Sequence, residues 1–333
     1  MTKLRIALIG AGYIAHYHMR ALQQLTNVEV VGVVAKTISS AKDFAAKYNI
    51  SNALDNIEKL DNLSIDAVVI STPNKFHAPY AIQCLQNGMD VLIEKPMAMN
   101  AEEAEQIAVT ARKHSKLVLI GHMWHFDAET NHIKTLVESG KLGNIVKTKS
   151  YGIHENWGPE GWFTKKELAG GGALADMGVH AIETVRYILG NPQPKEVYAK
   201  ISTSYGSYDV DDSGIIMITW DTGTVSLIES GWWQPHMDGP EAATGIYGTK
   251  GYAQLFPTLV KMSHEDTTSE KLPKFPAKKE HCDQIIFDAQ MKHFIDCVIN
   301  REQPGPGLEE GLTVMKIVDA AYKSSETAEA VRI

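Results

Sequence analysis

Two residues of this 333-residue chain have types and settings suited to moving a proton on and off a hydroxyl, and a third stands where a cation would face a ligand crevice. Asp176 and His180 stand four apart in Gly170-Gly-Gly172-Ala-Leu-Ala-Asp176-Met-Gly178-Val-His180. On a helix, that spacing puts an acid and a titratable base on one face. Such a pair suits general acid–base catalysis. The glycine triplet lets backbone pass close to a neighbour, and Gly178 opens space between the two side chains. The structural alternative is a buried histidine satisfied by an aspartate one turn away. The third residue is Lys95, in Glu94-Lys95-Pro96 at the end of an apolar run. A lysine at a strand's carboxyl end points toward a ligand crevice. Pro96 fixes the local backbone and can be cis; Glu94 can pair with the lysine or cap nearby backbone, and Glu94 and Lys95 are both candidate cofactor contacts. Asp and His are also metal ligands, but no third ligand stands at helical or hairpin spacing, so no metal is expected.

A second group of residues is suited to holding phosphate. Gly10-Ala-Gly12-Tyr13-Ile14-Ala15 matches G-x-G-x-x-A between the first strand and the first helix. Gly10 permits a tight turn, Gly12 lets backbone approach a pyrophosphate, and Ala15 keeps the helix close to the sheet. The helix N-terminus then offers free N–H groups and a positive dipole end. The end of the second strand bears on which dinucleotide. An acidic residue there usually holds the ribose hydroxyls of NAD. This chain has Ala35-Lys36-Thr37-Ile-Ser39-Ser40, with no acid before Asp43. Lys36 can pair with a 2′-phosphate, and Thr37 can hydrogen-bond it, which favours NADP(H) over NAD(H). Ser71-Thr72-Pro73-Asn74 closes a further strand where ligands of doubly wound sheets bind. Pro73 can pack on the nicotinamide side and Asn74 can hydrogen-bond nearby. His77 opens the next helix as a cofactor contact or a partly buried helix-start histidine.

The elements that would position these residues change character near residue 122. Before it, short Val/Ile runs (Leu4–Ile9, Val28–Val34, Ala67–Ile70, Asp90–Ile93, Leu117–Ile120) alternate with helical patterns. Continuous apolar strands separated by helices predict a parallel, doubly wound sheet covered on both faces. After it, a helix over Ala128–Ser139 leads into strands at Ile145–Ile153, Glu196–Ser204, Gly214–Trp220, Thr224–Glu229, Ala243–Tyr247 and Tyr252–Leu255. Hairpin turns at Asp221-Thr-Gly and Gly248-Thr-Lys-Gly make that sheet mostly antiparallel. It carries a helix over Ala175–Leu189. Two helices follow, near Gln284–Asn300 and Leu308–Ser325, and the Lys/Glu/Pro-rich stretch 264–280 reads as an exposed loop. The expected domains are 1–121 and 122–333.

Composition excludes several classes. The formal charge is −8, which repels nucleic-acid backbones at long range. No apolar stretch is long enough to span a bilayer. Three cysteines, Cys84, Cys282 and Cys297, form no C-x-x-C pair or even framework, so a reducing cytoplasmic setting is expected.

Taken in order, G-x-G-x-x-A, T-P-N, E-K-P and G-G-G-x-L-x-D-x-G-x-H resemble the glucose–fructose oxidoreductase / inositol dehydrogenase / MocA family. Gly88, the Lys141–Gly143 turn and Gly248-Thr-Lys-Gly251 fit as well, so the resemblance covers essentially the whole chain. It implies an N-terminal Rossmann domain and a C-terminal α/β domain whose open, mostly antiparallel sheet commonly forms a dimer or tetramer interface. It implies a nicotinamide-dependent oxidation or reduction of a secondary alcohol on a sugar, inositol or related polyol. In that resemblance Lys95 hydrogen-bonds the reacting hydroxyl, His180 is the general acid/base, and Asp176 orients the substrate. The chain departs from the family at the missing second-strand Asp. His122-Met-Trp-His125-Phe126 replaces a segment where arginine is frequent, and Glu183 stands where Asp is common.

Substrate contacts are less well marked. Trp124, Trp157, Trp162, Trp232 and Trp233 offer flat faces to sugar C–H groups, or equally to cores and interfaces. Trp124, Trp162 and His154 are carried as substrate-binding candidates. Glu155, Asn156 and His236 offer polar groups. Two other functions compete: a glycosidase that oxidises its sugar transiently and then eliminates the aglycone, and a non-catalytic dinucleotide-binding regulator. The regulator would be expected to lose Lys95, Asp176 or His180, and all three are present.

Overall fold

The computed structural model describes residues 3–235, 239–262, 272–278 and 282–333. His236 and most of the 264–280 stretch therefore lie outside the described residues. The chain divides into two compact units: Met1–Met123 with Cys282–Leu312, and Trp124–His281 with Thr313–Ile333. The sequence suggested a single cut at 121/122; the division differs in that Cys282–Leu312 groups with the N-terminal residues.

The first unit holds a six-stranded parallel sheet. Its strands are β1 (Leu4–Ile9), β2 (Val28–Val34), β3 (Asn52–Leu54), β4 (Ala67–Ile70), β5 (Asp90–Ile93) and β6 (Val118–Ile120). Their spatial order is β3-β2-β1-β4-β5-β6, the doubly wound order of a dinucleotide fold. Every residue of β4, β5 and β6 is buried, which is why these strands are unbroken apolar runs. The intervening helices are α1 (Tyr13–Gln23), α2 (Ile38–Tyr48), α3 (His77–Gln86) and α4 (Ala101–His114). Helix ends are set locally. The Asn100 side chain accepts from Glu103 N at 2.9 Å, and the Glu103 carboxylate accepts from Met99 N at 3.1 Å, a reciprocal cap that supports α4 by about 1 kcal/mol. Ser115 ends that helix in the left-handed conformation.

The second unit opens with α5 (Ala128–Glu138), capped by Asp127. Its strands are β7 (Ile145–Glu155), β8 (Pro194–Ser202), β9 (Ser213–Trp220), β10 (Val225–Gln234), β11 (Ala242–Gly248), β12 (Gly251–Leu255) and β13 (Leu259–Met262), and β14 (Val331–Arg332) closes one edge. The order is β13-β12-β11-β7-β10-β9-β8-β14. Only the β7–β10 pair is parallel, so the sheet is mixed and mostly antiparallel. Between β7 and β8 lie α6 (Lys166–Ala169) and α7 (Val179–Ile188).

Two long helices complete the chain, α8 (Gln284–Asn300) and α9 (Leu308–Thr327). Within the first unit α8 packs on α1: the Phe287 ring lies 4.8 Å from that of Tyr17, and Gln284 donates to the Tyr17 carbonyl at 3.0 Å. Arg301, in the left-handed conformation that ends α8, pairs with the buried Asp90. In the second unit, α9 lies on β8. Ser324 and Ser325 accept from Ala199 N and Ile201 N.

Candidate active site

The phosphate loop is built as its glycines require. Gly10 has φ +116°, and a Cβ there would stand 2.4 Å from the Ser71 carbonyl oxygen, so only glycine lets β1 turn against β4. Gly12 is the N-cap of α1 and makes no side-chain cap, so the N–H groups at this end are not used by a capping side chain. Ala15 is fully buried, Ile14 is half-buried, and Tyr13 is exposed with its hydroxyl 2.8 Å from that of Tyr17. The hydroxyls of Ser71 and Thr72 are buried with no partner among the described residues. Two such hydroxyls beside an uncapped helix end fit a polar dinucleotide. Past β2, Lys36 is exposed. The Thr37 hydroxyl is engaged in the cap of α2, accepting from Ser40 N at 3.2 Å.

The two loops beyond β4 and β5 are tied together inside the first unit. His77 is 1 % exposed, and its ring nitrogens face the Pro96 carbonyl at 2.8 Å and the Thr72 carbonyl at 2.9 Å. Both nitrogens are thus committed to the protein, and burial holds the ring's pKa below the usual histidine value. Pro73 is half-buried and Asn74 buried at the same turn. Glu94 is turned inward. One carboxylate oxygen is 2.7 Å from Nε2 of the fully buried His18, and the other accepts from Lys95 N at 3.2 Å. Gly121 leaves it room, since a Cβ there would stand 2.9 Å from that carboxylate. Glu94 therefore anchors the Lys95 backbone. The Lys95–Pro96 bond is cis, and Lys95 is half-buried.

The candidate acid–base pair lies in the second unit, on a helix that is not uniformly α. Leu174–Gly178 forms a π turn and α7 follows from Val179, so Asp176 and His180 straddle the junction. Sequence spacing predicted one α-helix from Ala175 to Leu189. The wider turn lies where β7 is tightly packed: a Cβ on Gly152 would stand 2.6 Å from the Met177 carbonyl oxygen. Single π turns recur at functional sites. The turn is held at its start by Asp211, which accepts from Gly172 N and Leu174 N, both at 2.8 Å, and from the Tyr322 hydroxyl at 2.7 Å. Gly172 lies hard against Asp211, 1.8 Å from its carbonyl oxygen to a would-be Cβ.

Asp176 is held in turn. Trp232, fully buried among Ala173, Val210, Phe163 and Tyr208, donates its indole N–H to Asp176 Oδ2 at 3.1 Å. His154 Nε2 is 3.5 Å from the same oxygen, and its Nδ1 is 3.2 Å from Glu241. Burial pushes the His154 pKa down, but hydrogen bonds and charge from Asp176 and Glu241 outweigh it and raise the pKa above 6.5. That contribution to stability is present below 6.5 and is lost as pH rises through the raised value. His180 is buried, with its ring centroid 5.1 Å from that of Trp124.

The aromatic candidates separate. Trp124 is 4 % exposed, between His180 and Phe256, so it supports the histidine. Trp162 is half-buried and stacked on Phe163. Trp157 is 45 % exposed and stacked on His154. His125, at the position of the missing arginine, is buried against Glu183 at 3.0 Å and stacked on Tyr187. The structure places Lys95 and the dinucleotide loop in the first unit, and Asp176, His180, His154, Trp124 and Trp162 in the second. Asp211 and Glu241 were not singled out by sequence. The only local signal was the Asp211-Asp212 doublet at a turn before a strand.

Residues 4–122 match the model of the GFO/IDH/MocA oxidoreductase family with its NAD-binding Rossmann fold, and residues 130–254 match that family's C-terminal domain. The whole chain is 30% identical to D-glucoside 3-dehydrogenase of Escherichia coli (strain K12), covering 98% of it. The chain belongs to the Gfo/Idh/MocA family. It is an NAD(P)-dependent oxidoreductase with a Rossmann domain followed by the family's C-terminal domain. At 26% identity it also resembles D-xylose 1-dehydrogenase [NADP(+)] of Haloarcula marismortui, over 99% of this chain and 93% of that one. Among solved structures, the fold matches an oxidoreductase domain protein from Kribbella flavida (TM-score 0.92, 22% identity, all of both chains). It also matches levoglucosan dehydrogenase in complex with NADH (TM-score 0.90, 20% identity, all of this chain and 99% of that one). Among the described residues of this family member, no group of three or more His, Cys, Asp or Glu could hold a metal ion. No helix among them is long and apolar enough to cross a membrane.

Proposed function

We propose that this oxidoreductase acts on a secondary alcohol or the corresponding ketone of a sugar, inositol or related polyol, with Lys95, Asp176 and His180 as its catalytic residues. The observation that carries the reading is the acid–base helix: Asp176 holds the Trp232 indole N–H and faces His154 at 3.5 Å, with the buried His180 one turn on. A bound nicotinamide dinucleotide supplies the hydride acceptor or donor. His180 takes the hydroxyl proton in oxidation and returns it in reduction. Lys95 places a cation where negative charge develops on the oxygen. Asp176 orients the hydroxyl-bearing substrate. Gly10, Gly12, Tyr13, Ile14, Ala15, Ser71, Thr72, Pro73 and Asn74 hold the dinucleotide, while His77 and Glu94 keep its loops in place. The glucoside and xylose dehydrogenase relatives support a carbohydrate substrate. The test is a panel of sugars, inositols and ketoses scored at the reduced-nicotinamide absorbance with both cofactors. Stoichiometric cofactor conversion on a polyol supports the reading; cleavage of a chromogenic glycoside with no net conversion replaces it with the eliminating glycosidase.

The preferred cofactor is NADP(H). The exposed Lys36 just past β2, with no acidic residue following it before Asp43, supports this choice. Lys36→Ala is expected to weaken NADPH binding about fivefold, as for one exposed ion pair of roughly 1 kcal/mol, and to leave NADH binding nearly unchanged. Titration by fluorescence checks it. Wild-type NADH binding as tight as NADPH would remove the preference.

The working form is a homodimer or homotetramer through the C-terminal sheet, in the reducing cytoplasm. In register across three strands, Tyr198, Met217 and Leu227 form an apolar row, with Ile215 beside it. Ile215, Met217 and Tyr198 are 55, 42 and 42 % exposed, which is unusual for an unpartnered surface row. Ile215→Lys with Met217→Lys is expected to lower the mass measured by light scattering to that of a monomer. An unchanged mass would remove this interface.

A further inference from the structure

His154 is wired to two carboxylates in a way the proposed reaction does not itself require. It lies near the end of β7 and is 8 % exposed. Its Nε2 is 3.5 Å from Asp176 Oδ2 and its Nδ1 is 3.2 Å from Glu241 Oε2. An ionised carboxylate only accepts hydrogen bonds, so serving both partners requires an N–H at both ring nitrogens, which only the imidazolium has. The ring is covered by the indole of Trp157, centroids 3.7 Å apart and planes 29° apart. That indole donates its own N–H to the other Glu241 oxygen, and the Trp157 carbonyl accepts from Trp233 N at 2.8 Å. Glu241, just ahead of β11, also gives its backbone carbonyl to Ile153 N at 2.8 Å.

We propose that His154 is a positioning residue: as a cation clamped between Glu241 and Asp176, it fixes the aspartate that works with His180. The inference rests on the catalytic reading of Asp176 and His180 given above. The charged groups facing His154 among the described residues are Asp176, from the π turn, and Glu241; the aromatic neighbours Trp157 and Trp232 carry no charge. The two anions outweigh the opposing effect of burial and raise the pKa. Both the Trp232 indole and His154 act on Oδ2 of the Asp176 carboxylate.

The clamp gives the enzyme an alkaline limit of its own. Once His154 loses its proton, one carboxylate faces a lone pair and the hold on Asp176 is lost. Glu241→Gln keeps the length of the side chain and removes one anion. It is expected to move the alkaline limb of kcat/KM against pH down by about one unit, leaving the acid limb in place. His154→Phe keeps a ring against Trp157 and removes both hydrogen bonds. It is expected to lower kcat about tenfold, with dinucleotide affinity within twofold of wild type. The His154 ring resonances, titrated by NMR in wild type and in Glu241→Gln, are expected to show the same downward shift without reference to turnover. An alkaline limb and an NMR titration both unmoved in Glu241→Gln would overturn the clamp. So would a His154→Phe enzyme with full kcat. A wild-type chain inert on every polyol would sink the catalytic reading instead, while the NMR titration still decides the clamp.

Discussion

Replacing His180 by alanine is expected to lower kcat by about 10²–10⁴-fold, the contribution of a positioned general base, while the Kd for the dinucleotide changes by less than about twofold. The split follows from where the groups stand. His180 belongs to the second unit and packs against Trp124, whereas the glycine loop and the Ser71–Asn74 turn belong to the first. Lys95→Ala is expected to behave alike, because its loop is held by Glu94 and His77, which the substitution leaves in place. Steady-state kinetics on the substrate found in the panel, with cofactor binding measured separately, checks both variants. Full turnover in either would remove that residue from the chemistry. His180→Asn serves as the size-matched control, since the ring lies in a buried contact that alanine would empty.

Asp211→Ala is expected to cost about 3–5 kcal/mol of stability, the range for removing one partner from a buried charged network. Three donors converge on this carboxylate: Gly172 N, Leu174 N and the Tyr322 hydroxyl. Burial, together with Asp211, raises the Tyr322 pKa well above 10.0, so the phenol stays a donor throughout the working range. Removing the carboxylate strands all three in a dry setting. Tyr322→Phe removes only one hydrogen bond and is expected to cost about 1 kcal/mol. Denaturant midpoints, followed by tryptophan fluorescence, give both numbers. A loss below about 1 kcal/mol in Asp211→Ala would show that the π turn forms without its anchor.

How much of this was legible in the sequence depended on how local each cause is. The parallel strands of the first unit were readable because burial on both faces makes them continuous apolar runs. The phosphate loop was readable because its strand, turn and helix are contiguous. Short edge strands were not: Asn52–Leu54 and Val331–Arg332 have too few residues to show a period. The spacing of Asp176 and His180 is the same in an α-helix and across a π turn. What distinguishes them here is the contact between Gly152 and Met177, made through another element. Glu241 and Asp211 escaped notice for a related reason. Glu241 meets His154 from 87 residues away, and Asp211 caps backbone 39 and 37 residues before it. The partners of Glu94 and His77 were hidden too, since His18 and the Pro96 carbonyl come from other segments of the chain. The parallel pairing of β10 with β7 was likewise hidden, because it joins strands that are not neighbours in sequence.

The return of Cys282–Leu312 to the first unit bears on how the protein is made. A ribosome delivers the dinucleotide-binding sheet first, yet the α8 surface that covers Tyr17 and His18 and the Arg301 partner of Asp90 come from beyond residue 281. Domains usually fold as units, and N-terminal ones first during synthesis. Here the nascent N-terminal unit must wait, with part of α1 uncovered, until residues 124–281 have emerged.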